Sequence, residues 1–120
     1  KKSTAHTGDI DPAFLNRLKE LGGEKLVKEL IGMYMIRGAQ LVETILLGME
    51  SKDVEAVKGA AHSLISSAGN LGGQTVSSLA VSLEGAAIDE DIPSMVALKP
   101  DLIAAQKKLN IYLEDALDQL

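Results

Sequence analysis

The chain has 120 residues, a net charge of −5 and no cysteine. That length gives one domain with one core. The acidic balance, with no polybasic run, argues against a nucleic-acid surface. The missing thiols exclude disulfides, thiolate metal sites and thiol catalysis, and they fit a reducing cytoplasm. Only Phe14, Tyr34 and Tyr112 are aromatic. The core must therefore come from Leu, Ile, Val, Met and Ala, and the abundance of Ala, Leu, Glu and Lys predicts an all-α fold.

Residues 1–9, KKSTAHTGD, are polar and aperiodic and read as a linker or cloning remnant, with His6 inert. The chain starts at Lys1 rather than Met, and a piece of a longer protein is expected. Residues 10–120 are expected to form the domain. In IDPAFLNRLKELGG, Asp11 suits an N-cap, Pro12 the first helical position, and Ile10 with Leu15 a hydrophobic staple. Gly22 is expected to supply the left-handed stop. A long helix follows over about Glu24–Glu50, with Leu26, Leu30, Met33, Tyr34, Leu41, Ile45 and Met49 on its apolar face. Val27, Ile31, Val42 and Leu46 flank that face, and Gly32 and Gly38 weaken the helix. No run is expected to approach the roughly 18 apolar residues of a membrane span.

Asp53 caps a third helix whose seam is Val54, Val57, Ala61, Leu64, Ala68 and Leu71, ended by Gly72-Gly73. A fourth helix over about Gln74–Ala87 buries Val76, Leu79, Ala80, Leu83 and Ala87. DEDIP reads as a loop. A last helix runs from about Ser94 to the end, with a kink or restart at Pro100. The expected architecture is an antiparallel up-down four-helix bundle with the short N-terminal helix capping one end.

His62 lies on the third helix, roughly 130° from the centre of its seam, so it faces solvent. Around it stand Gly59, Ser63, Ile65, Ser66 and Gly69, and no residue from Gly59 to Leu83 is an acid or a lysine or arginine. Such a smooth surface suits a docking site. It also suits close helix packing with an incidental histidine. A metal site needs further ligands at helical spacing, and a serine hydrolase needs a convergent acid; His62 has neither nearby in sequence. A solvent-facing imidazole is largely neutral at pH 7 and offers a lone pair that can accept a phosphoryl group. The remaining parts of phosphoryl transfer, Mg²⁺ and in-line positioning among them, would have to come from a partner.

The segment AHSLISSAGNLGG resembles the motif A-H-x-L-K-G/S-S-x-x-x-L-G of histidine-containing phosphotransfer domains. Ala61, His62, Leu64, Ser67, Asn70, Leu71 and Gly72 carry the match. IDPAFLNRLKELGG, SKDVEAVKGAAH and VSSLAVSLEGAA are similar to the family's opening helix, its approach to the histidine and its following helix. The resemblance implies phosphorylation of His62, on Nε2, by exchange with a receiver-domain aspartate. The receiver is expected to bring Mg²⁺, and this chain is expected to bind no cofactor and have no kinase activity of its own.

A cytoplasmic monomer is the default expectation, and the polar start at Lys1 suggests the C-terminal domain of a hybrid sensor kinase, with a free-standing carrier as the alternative. Ile65 departs from the pattern, which usually has lysine there. Lys58, roughly 40° round the helix, either replaces that cation in part or is an ordinary solvated lysine. Ser66 stands where glycine is common, and its hydroxyl is able to donate to a phosphate oxygen. Glu84 matches a position that is often polar; it is either an acceptor for His62 Nδ1–H or a plain surface carboxylate. Gly59, Ser63, Ile65 and Gly69 are the expected docking surface, with Ile65 extending an apolar contact. The alternative is a bundle that docks a receiver or kinase but has lost transfer with that lysine.

Overall fold

A computed structural model describes residues 10–120; the linker expected at residues 1–9 and the inert His6 lie outside the described residues. All regular structure in the described residues is helical: α1 (Pro12–Ser51), α2 (Val54–Gly69), α3 (Gln74–Ile88), α4 (Ile92–Ala97) and α5 (Lys99–Asp118). Aspartates cap α1, α2 and α4. Asp11 accepts from Ala13 N at 3.0 Å, with Pro12 opening α1. Asp53 accepts from Ala56 N at 3.1 Å. These bonds satisfy N–H groups that the helix itself leaves without acceptors.

α1 is two helical segments joined without an intervening loop. The break is at Gly23, with φ 75° and ψ −172°, rather than at Gly22. The two glycines are adjacent, and only Gly23 takes the left-handed φ. Beyond it the buried line is Val27, Ile31, Tyr34, Gly38, Leu41, Ile45 and Met49. Val27 and Ile31 therefore lie at the centre of the face, not at its flank. Met33, expected inside, is 64% exposed, and Leu26 and Leu30 are only half-buried. By length and composition α1 is apolar enough to cross a membrane, contrary to the sequence expectation. Its apolar residues include those of the core line.

The core is continuous. Val57, Ala61, Leu64 and Ala68 of α2 join Val76, Ala80 and Leu83 of α3, Met95 of α4, and Leu102, Leu109 and Leu113 of α5. The stripe expected from Ser94 to the end is interrupted. Asp91 caps the separate helix α4, accepting from Ser94 N at 3.2 Å and Ser94 Oγ at 2.6 Å. The chain then restarts at Lys99-Pro100, where proline needs no amide partner.

The N-terminal end is tied to the rest. Asp11 N donates to Gly72 O at 2.8 Å. Gly72 has φ 81°, and a side chain there would run into the Asp11 backbone. Leu15 and Lys19 share a cleft with Tyr112, Ala116 and Leu120 at the end of α5. Tyr34 Oη donates to Gln106 Oε1 at 2.6 Å inside the core, linking α1 to α5.

Candidate functional site

Small residues let α2 and α3 approach closely: Ala60, Ala61 and Ala68 on one, Ala80 and Ala87 on the other, all buried. Ser77 Oγ of α3 donates to Ile65 O of α2 at 2.8 Å and fixes the register between them. That register carries Glu84 to His62. His62 Nδ1 and Glu84 Oε2 are 2.7 Å apart. The imidazole side chain is 75% exposed and the glutamate 24%. A carboxylate only accepts, so Nδ1 is the donor and Nε2 is the nitrogen left to face outward.

Of the two readings of Glu84, the structure takes the acceptor. Lys58 is placed differently. Its Nζ is 3.1 Å from Glu55 Oε1, an ion pair along its own helix. Ile65 is half-buried against the core, so its backbone carbonyl serves Ser77 while its side chain packs. Ser66 and Gly59 are exposed, and Ser63 and Gly69 are half-buried. A Cβ on Gly59 would meet nothing within 4 Å, and one on Gly69 would meet Ser77 Oγ at an ordinary 3.5 Å. Close helix packing therefore does not require either glycine. Among the described residues no group of three His, Asp or Glu side chains converges.

Two apolar surface features escaped the sequence reading. Val81 and Ile88 stand one turn either side of Glu84 on α3 and are 53% and 60% exposed. Their signal was there, since neither falls on the Val76–Ala80–Leu83–Ala87 line. Between α1 and α2, a concavity of about 160 Å³ is lined by Leu30, Met33, Arg37, Ser67 and Asn70, among others. It was missed because Leu30 and Met33 were assigned to the core.

The geometry is one exposed imidazole, bonded through Nδ1 to one carboxylate, on a face of small and apolar residues. No curated protein matches the sequence. The crystal structure of histidine-containing phosphotransfer protein B (HptB) from Pseudomonas aeruginosa PAO1 superposes with a TM-score of 0.87. It is 16% identical, and the match covers 93% of this chain and 96% of that one, so the two share a fold. The Hpt domain family model matches residues 29–120. A match over most of the chain, with the exposed His62 inside the matched region, places this protein in the Hpt domain family.

Proposed function

We propose that this domain carries a phosphoryl group on Nε2 of His62, taken from the aspartate of one response-regulator receiver domain and passed to that of another. The observation that carries this reading is the exposed imidazole with Nδ1 engaged by Glu84 at 2.7 Å. Loading forms the Nε2–P bond as the aspartyl O–P bond breaks, and unloading reverses this. Mg²⁺ and the groups that neutralise the moving charge belong to the receiver in this reading. Ser66 donates to the phosphoryl oxygens. The receiver rests on Gly59, Ser63, Ile65 and Gly69, and reaches Val81 on one side and the Met33 concavity on the other. The bundle is read as antiparallel and up-down, with the segment before Gly23 capping one end. A cytoplasmic monomer, either free-standing or C-terminal in a hybrid kinase, completes the proposal.

The test is incubation with a phosphorylated receiver and Mg²⁺. The domain should gain an acid-labile, alkali-stable label that is absent from the His62→Gln variant. Equal labelling of that variant would refute the assignment. A second reading has one observation behind it: Ile65 is apolar, and Lys58 is held by Glu55 at 3.1 Å. On this reading a domain without a cation beside its histidine docks receivers without exchanging phosphate. It predicts complex formation without label, and transfer gained by Ile65→Lys.

A further inference from the structure

An ionised carboxylate has lone pairs and no proton to give. Glu84 Oε2 lies 2.7 Å from His62 Nδ1, a spacing that suits Nδ1 only while it carries hydrogen. In the empty ring this selects the Nδ1–H tautomer. A ring phosphorylated on Nε2 has two further forms: neutral with Nδ1 bare, or cationic with Nδ1–H retained. The first sets lone pair against lone pair. The second makes a charge-assisted hydrogen bond to Glu84.

We infer that Glu84 keeps the phosphorylated ring in its cationic, Nδ1–H form, so that the loaded domain is a short-lived, ready donor rather than a store. This rests on the relay reading of His62. When the N–P bond breaks, its electron pair returns to Nε2. With Nδ1–H in place the ring departs as neutral imidazole; with Nδ1 bare it would depart as imidazolate, a far poorer leaving group. The phosphoryl group goes to an aspartate oxygen or, in hydrolysis, to water, whose surplus proton passes to solvent. One proton stays on Nδ1 throughout, so neither loading nor unloading has to move it.

The charged surroundings leave Glu84 in control. On α2, Lys58 is paired with Glu55 at 3.1 Å, and Gly59–Gly69 contributes no acid, lysine or arginine. On α3, Glu84 is the only charged residue in Gln74–Ile88. On α1, Arg37 lies by Ser67 and Asn70, further along α2.

The test needs no partner protein. Phosphoramidate, a small phosphoryl donor, loads exposed histidines directly, and a His6→Gln background makes the label report His62. Lifetimes of the loaded form are compared with and without Glu84→Gln, an isosteric change at the surface. At about pH 8 the variant should hold its label roughly tenfold longer, the equivalent of one charge-assisted bond. At about pH 5 solvent protonates both rings and the lifetimes should converge. Nitrogen NMR of the loaded ring at about pH 8 should show Nδ1 protonated in the parent and bare in the variant. Equal lifetimes at that pH in two folded proteins, or a His62 that phosphoramidate does not load, would overturn the inference. A tenfold difference in a domain that no receiver loads would uphold it and count against the relay alone.

Discussion

Gly32 and Gly38 look alike in the sequence and have different neighbours on α1. A Cβ on Gly32 would meet nothing within 4 Å, whereas one on Gly38 would lie 2.6 Å from the Tyr34 ring. That ring cannot swing aside, because its hydroxyl is bonded to Gln106 in the core. Gly32→Ala should therefore raise stability by about 1 kcal/mol. Gly38→Ala should lower it by about 1–3 kcal/mol, overpacking outweighing helix propensity. Urea midpoints with unchanged slopes would check both. Treating both glycines as equal weak points was as far as propensity could go; what separates them is which face of the helix each occupies. Lys58 teaches the same lesson. Its angular distance from His62 was legible, but Glu55 lies three residues before it and takes the charge.

Between elements, the bond from Tyr34 to Gln106 is a buried polar link of α1 to α5. Burial holds the Tyr34 hydroxyl well above the ordinary tyrosine value of 10.0, with the Gln106 bond a smaller opposing influence. The unfolded chain sheds this proton near pH 10 while the folded chain keeps it. The contribution is thus intact below about pH 10 and is lost as pH rises further, by at most about 1.4 kcal/mol per unit. Tyr112, raised by burial and by Asp11, acts in the same direction. Comparing denaturation midpoints of the parent and Tyr34→Phe across that range should show the steeper decline in the parent. Below it, Tyr34→Phe should cost about 1–3 kcal/mol, because Gln106 Oε1 is left buried without its donor. The starts of α1 and α2 were legible at this scale because each has a capping aspartate, and so was the restart at Pro100, where proline cannot continue the hydrogen-bond ladder. The separate start at Ile92 was not, although Asp91 followed by Ile92-Pro93 has the form of one; the periodicity from Met95 to Ala116 runs past it and hides it. Nor was the α2–α3 register, which depends on one serine hydroxyl reaching one carbonyl.

Taken whole, the molecule keeps its chemistry apart from its core. His62, Gly59, Ser66, Val81 and Met33 are all exposed, and the core closes without them. Met33→Glu should leave stability within about 0.5 kcal/mol. It should weaken receiver binding about tenfold, as expected when a charge is set against an apolar contact; calorimetric titration against a receiver measures this. An unchanged affinity would place the receiver elsewhere on the domain.

His62 is the ninth residue of the sixteen in α2. The backbone amides around it are spent within the helix, and the helix dipole is felt only near the ends. Anion sites that hold phosphate tightly use a helix N-terminus, with free amides and a partial positive charge aimed at the ligand. A phosphoryl group on His62 has neither. The backbone gives it no grip, and once the covalent bond to nitrogen is cut, no main-chain amide slows its departure.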